Sequence, residues 1–158
     1  MSQHTGYAAG TLSSGLAASP RGALIVGLAG LIPFVALALG IALRIGNIPV
    51  MSAALLTYGG IILSFLGGIR WGFAVKAERG YSAFFQFGMS VLPALLGWWA
   101  MFLPLPLGFG VLATGLAVWF VFERLSPAPS AVPSWYVALR AVLTLGAASS
   151  LILAAVFW

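Results

Sequence analysis

The sequence predicts an all-α integral membrane bundle of five transmembrane helices, with the N-terminus cytoplasmic and the C-terminus periplasmic. Three observations predict it. Of the 158 residues, 62 % are apolar and only 6 % are charged, where a soluble domain carries roughly 25 % charged residues. The mean hydropathy is +1.12. The apolar residues also gather into runs of the length a bilayer demands, about 20 residues at 1.5 Å rise each. Seven basic and two acidic side chains cannot clothe such a chain in a surface that water accepts. A soluble globular fold is excluded.

Residues 1–20 are rich in Ser, Gly, Ala and Thr, lack apolar periodicity, and read as a flexible polar tail ahead of a membrane domain over 21–158. No basic residue precedes Arg21, and the first apolar run leads into Arg44-Ile45-Gly46-Asn47 rather than a small-residue cleavage site. Neither a transit peptide nor a cleaved secretory signal is therefore expected. The five runs are 23–43, 50–75, 83–103, 105–122 and 137–158. They are separated at Gly46-Asn47-Ile48-Pro49, Lys76-Ala77-Glu78-Arg79-Gly80, Pro104-Leu105-Pro106 and Ser126-Pro127-Ala128-Pro129-Ser130. Each separator holds Pro, Gly, Asn or charge, the residues that turn a chain. Only prolines mark the third, but 83–122 is about twice the length of one span, so two helices are expected there.

An odd number of spans puts the termini on opposite sides. One side collects Arg21, Lys76, Arg79 and Arg124, and the other holds Arg44 alone. The positive-inside rule makes the first side cytoplasmic. Aromatic residues agree: Trp71, Tyr81, Trp119, Trp135 and Tyr136 fall near that boundary, and Trp98, Trp99 and Trp158 near the opposite one.

Composition also removes chemistry. There is no cysteine, the only acidic residues are Glu78 and Glu123, and the single histidine is His4 in the tail. Thiolate catalysis, disulfides, Cys- or His-built metal sites and a Ser-His-Asp triad are excluded. No catalytic residue, cofactor, metal or nucleic-acid partner is expected.

The second span is the richest in pattern. Gly60, Ser64, Gly68 and Gly72 recur every four residues and predict a small-residue stripe for close helix packing, within the chain or against another chain. Arg70 sits about 200° round the helix from Gly68 and about 9 Å inside the helix end at Lys76. If both faces are shielded, this helix lies at the centre of the bundle. Arg140 opens the fifth span with Thr144 one turn on, and Glu123 ends the fourth. One acid and two bases at similar depth predict an ion pair through Glu123 with one cation left over. Arg70, Arg140, Thr144 and Trp71 are thus candidates for holding an anionic lipid head group or a partner protein. Glu78 beside Arg79 reads as solvated. Pro33 and Pro93 lie inside spans and should free the carbonyls of Ala29 and Met89.

The stretches Gly30-Leu31-Ile32-Pro33-Phe34, Ser64-Phe65-Leu66-Gly67-Gly68-Ile69-Arg70-Trp71-Gly72 and Arg140-Ala141-Val142-Leu143-Thr144 together resemble the family called domain of unknown function 3429, over about 21–151. The Ser-Phe-Leu-Gly-Gly-x-Arg-Trp-Gly stretch is the specific part. The family has mitochondrial and bacterial members, so the resemblance implies an inner-membrane location and, without a targeting extension, the bacterial inner membrane. It implies no reaction.

Three classes of function compete. An enzyme lacks its residues. A transporter shows repeats and polar midplane groups, whereas five spans do not halve and the midplane is bare of charge. An accessory or structural subunit of a larger, energy-transducing membrane complex is expected first, with membrane lipids and other integral membrane proteins as partners and a homo-oligomer compatible with the pattern. A stand-alone protein binding an anionic lipid or a quinone is the alternative.

Overall fold

The computed structural model describes residues 19–76, 81–125 and 133–158. Most of the expected tail, His4, Glu78, Arg79 and the Pro-rich separator at 126–130 lie outside the described residues. The described residues form helices α1 (Arg21–Ala29), α2 (Ile32–Ala42), α3 (Ile48–Lys76), α4 (Tyr81–Ala100), α5 (Leu105–Leu125) and α6 (Ser134–Phe157), with no strand among them. Arg21–Ala42, Ile48–Gly72, Leu105–Leu125 and Trp135–Phe157 are long and apolar enough to cross a membrane, and the apolar part of α4, Phe84–Ala100, is shorter. The chain is an all-helical, multi-pass membrane protein.

Its first span is two helices. Pro33 lacks an N–H and crowds the carbonyl four residues back, so the helix stops at Ala29 and restarts at Ile32, with the proline in the first turn of α2. The sequence points to Ala29 as the freed carbonyl. The structure adds a partner at the next residue, where the Tyr58 hydroxyl donates to the Gly30 carbonyl at 2.9 Å. The turn from α2 to α3 needs left-handed backbone at Arg44 (φ 57°) and Gly46 (φ 84°). Asn47 then caps α3, its Oδ1 accepting the Val50 N–H at 3.2 Å.

Helix α3 packs on α2, α4 and α5, and α6 closes the bundle against α5 and α2. Phe34, Ile41, Leu55, Leu63, Phe109, Leu112, Leu116 and Leu151 fill the core between them. The ends of α2 and α6 meet where Arg44 Nη2 donates to the Trp158 carbonyl at 3.4 Å.

The close approach of α3 to α4 differs from the expected stripe. Gly60 lies against the Gly97 backbone, and a Cβ on Gly67 would collide with the Ser90 carbonyl oxygen. Gly68 and Gly72 are exposed and meet nothing. Helical geometry gives the reason. Four residues turn the helix about 400°, so each step of four drifts about 40°, and Gly72 stands about 120° from Gly60. Seven residues turn it about 700°, which leaves Gly67 only about 20° off. Gly68 and Gly72 join Ile61, Phe65 and Val75 on an outward stripe instead. The Arg70 face of α3 is shielded and the Gly68 face is not.

Candidate functional site

The polar chemistry of the described chain gathers at one end of the bundle, where α3 and α5 finish and α4 and α6 begin. Arg70 comes from α3, Trp119, Phe122 and Glu123 from α5, and Tyr136, Arg140 and Thr144 from α6. Helical phase turns them inward. Gly68 faces out, so Arg70, about 200° away, faces in.

Arg140 is 6 % exposed and firmly anchored. Its Nε lies 3.3 Å from Glu123 Oε2, and its Nη1 donates to Thr144 Oγ1 at 2.5 Å. Thr144 in turn donates to the Arg140 carbonyl at 2.8 Å, which fixes the hydroxyl as an acceptor toward the guanidinium. The i, i+4 spacing of Arg140 and Thr144 makes this possible, because it sets the two side chains one above the other. Glu123 therefore pairs with Arg140.

Arg70 is held differently. It is 8 % exposed, and its guanidinium carbon lies 4.6 Å from the Phe122 ring centroid, a cation–π contact. Its charge interacts with that of Glu123, yet that carboxylate is already engaged. Among the described residues two guanidiniums share one carboxylate, which leaves one positive charge of the layer uncompensated.

Its hydrogen bonding is also incomplete. Seven buried side-chain atoms lack an aligned partner among the described residues, and five of them belong to this layer: Arg70 Nε, the Tyr136 hydroxyl and Arg140 Nη2, together with Arg140 Nε and Trp119 Nε1, which both face Glu123. A sixth, Gln86 Oε1, lies at the same height, because the 4.7 Å contact of Trp71 with Phe87 sets α4 level with α3 there. Buried polar groups are normally satisfied. Donors predominate, so what would complete the layer is rich in acceptors.

A cavity of about 320 Å³ opens beside it between the α1–α2 break, α3 and α6. Arg140 and Thr144 bound it at one end, and Tyr58 and Gly30 supply its other polar atoms. Tyr58 is steadied by an edge-on contact with Phe34, centroids 5.0 Å apart.

The structure thus brings Arg70, Arg140, Thr144 and Glu123 together. Trp71 does not join them; it is 47 % exposed and turns outward with Phe87. Trp119, expected in a boundary girdle, is buried one turn before Glu123. Sequence reasoning missed Tyr58 as the donor to the α1–α2 break and Tyr136 as a member of the polar layer. The i, i+4 spacing of Trp119 to Glu123 and of Tyr136 to Arg140 was the available signal for the layer. Tyr58 had none, since its partner is a backbone carbonyl at a break.

The family described as "Protein of unknown function (DUF3429)" matches residues 19–156. Transmembrane protein 69 of Xenopus tropicalis is 38 % identical over 139 residues, 85 % of this chain and 53 % of that protein. Transmembrane protein 69 of Mus musculus is 36 % identical over 130 residues, 80 % of this chain and 52 % of that one. The chain thus spans about half the length of these relatives. No solved structure matches it.

Proposed function

We propose, for a chain that belongs to the DUF3429 family, that its work is binding rather than catalysis: it holds the acidic or carbonyl-bearing head of a membrane amphiphile at the Arg70–Glu123–Arg140 layer. One observation carries the reading. Two guanidiniums more than nine-tenths buried share a single carboxylate and leave donors unused. An arginine within a span costs about 2.5–3.5 kcal/mol or more, and such residues commonly mark sites. Arginine presents a planar fork of donors that matches phosphate or carboxylate, which lysine cannot reproduce. The test is native mass spectrometry of the protein released from mixed-lipid nanodiscs. Arg70→Gln should lose bound anionic lipid that the wild type keeps, and equal retention by both would refute the reading.

Five spans with a cytoplasmic N-terminus form part of the proposal, as does residence in the bacterial inner membrane. The meeting of Arg44 with Trp158 supports a common side for the ends of α2 and α6, as an odd number of crossings requires. A second reading, an accessory subunit of a larger membrane complex, is favoured by one observation. Gly68 and Gly72 offer an open small-residue strip on α3 that none of the described helices covers. On this reading Gly68→Leu releases a co-purifying partner while leaving the protein's own stability intact. Retention of every partner would count against it.

A further inference from the structure

We infer that the groove between α3, α4 and α5 receives a hydrocarbon tail of the same amphiphile, and that the amphiphile is a lipid with a monoanionic phosphodiester head. The inference rests on the head-group reading above and adds where the tail runs and which head is selected.

The groove encloses about 900 Å³ and is almost wholly apolar. Along α5 it extends from Phe122 to Leu107, about 22 Å at the helical rise, against a hydrocarbon core of about 30 Å. Leu63 and Pro93 line its far side. Its shape depends on a missing side chain, because Gly110 lines it and has nothing within 4 Å of where a Cβ would stand. Many apolar grooves in a bilayer hold passing lipid. This one is set apart by its foot. Phe122 and Trp119 line that end; the first carries the Arg70 guanidinium on its ring, and the second turns its indole N–H toward Glu123. The channel therefore ends against the two aromatic side chains that border the positively charged layer, and no charged side chain lines it among the described residues.

Charge selects the head. Glu123 neutralises Arg140, and one positive charge remains among the described residues of the layer. A monoanion cancels it. A neutral quinone leaves it uncompensated, and a dianion overshoots beside Glu123. A zwitterionic head brings its own cation to a layer that already has a surplus. Shape separates the two common monoanions. The unused donors arrive from α3 and α6, on Arg70, Tyr136 and Arg140, and a tetrahedral phosphodiester turns oxygens toward more of these directions than a planar carboxylate does.

The test uses the full chain in nanodiscs of phosphatidylglycerol and phosphatidylcholine with matched acyl chains, with oleate added in a third arm, and native mass spectrometry as readout. The wild type should retain phosphatidylglycerol over phosphatidylcholine by about tenfold, and oleate should not displace it. Gly110→Phe fills the groove where space is open and should cut retention about tenfold at unchanged helicity and melting temperature. Val118→Trp, on the same wall and exposed, serves the same end should Gly110→Phe fold poorly. If Arg70→Gln loses the lipid and both groove variants keep it, the tail lies elsewhere and this inference fails while the head-group reading stands. If Arg70→Gln keeps it as well, the head-group reading fails too. Displacement by oleate, or equal retention of phosphatidylcholine by the wild type, overturns the choice of head.

Discussion

Two adjacent glycines give the sharpest test of how α3 meets α4. Gly67 and Gly68 are neighbours on one helix, so replacing either by alanine changes the chain's intrinsic preference by the same amount, about 0.5–1 kcal/mol in favour of helix. Their surroundings differ completely. A Cβ on Gly67 would run into the Ser90 carbonyl oxygen and lie 3.3 Å from Pro93, whereas one on Gly68 meets nothing within 4 Å. The obstacle at Gly67 is backbone, which cannot rotate away, so the helices must part. Gly97 mirrors it from the other side, with a Cβ 2.9 Å from the Gly60 oxygen where ordinary contact begins at 3.4 Å. Overpacking of this kind costs about 1–3 kcal/mol. Gly67→Ala and Gly97→Ala should therefore both destabilise, while Gly68→Ala is neutral or mildly stabilising. The gap between Gly67→Ala and Gly68→Ala should be about 1–3 kcal/mol, the packing effect alone, because the propensity gain is common to both and cancels. Thermal unfolding in mild detergent, followed by helical circular dichroism, measures it. Equal melting temperatures for Gly67→Ala and Gly68→Ala would refute the packing geometry.

Three further outcomes are expected. Glu123→Gln leaves the buried Arg140 without its counter-charge and should destabilise by about 3 kcal/mol, the lower end for a broken buried pair because Glu123 keeps some exposure; denaturant titration reads it, and an unchanged midpoint would contradict the pairing. Tyr58→Phe removes the hydroxyl that satisfies the Gly30 carbonyl and should cost about 1 kcal/mol, with faster hydrogen exchange confined to peptides covering 26–35. Reporter fusions at Arg79 and after Trp158 should report cytoplasm for the first and periplasm for the second. Cytoplasmic signal at both would end the five-span topology.

The fold was legible because a bilayer leaves few options. Without water, every backbone group must be bonded within the chain, so long apolar runs have to be helices, and each observed helix falls on an expected run. The break at Gly30-Leu31 was half legible: Pro33 announces a disturbed helix, but only the tertiary contact from Tyr58 shows which carbonyl acquires a partner. Only part of the expected stripe meets a helix of this chain, for a geometric reason. A spacing of four looks regular in sequence yet winds round the helix, and the spacing of seven from Gly60 to Gly67 is the one that stays in place. At the polar layer, the inventory of one acid and two bases was written in the sequence. Which base takes the acid was not, because it turns on side-chain reach across helices that sequence spacing does not measure.

That division of Glu123 separates the roles of the two arginines. Arg140 has a carboxylate at 3.3 Å and a threonine hydroxyl at 2.5 Å that is itself locked to the helix backbone. Its burial is balanced inside the protein, so removing Thr144 or Glu123 should show first as lost stability. Arg70 has a phenyl ring and only the more distant charge of a carboxylate already paired with Arg140. A cation–π contact contributes about 0.5–2 kcal/mol, less than the about 2.5–3.5 kcal/mol or more that an arginine costs within a span. The deficit at Arg70 is therefore of order 1 kcal/mol or larger while Nε stays unpartnered. An arginine kept at a deficit beside an apolar groove is better explained by something that arrives than by the fold that holds it. The consequence is an asymmetry open to measurement: Arg70→Gln should leave the empty protein as stable as the wild type or more so, and remove the extra stability that anionic lipid confers. If Arg70→Gln instead destabilised the lipid-free protein as much as Glu123→Gln does, Arg70 would be a strut like Arg140, and the binding role would fall.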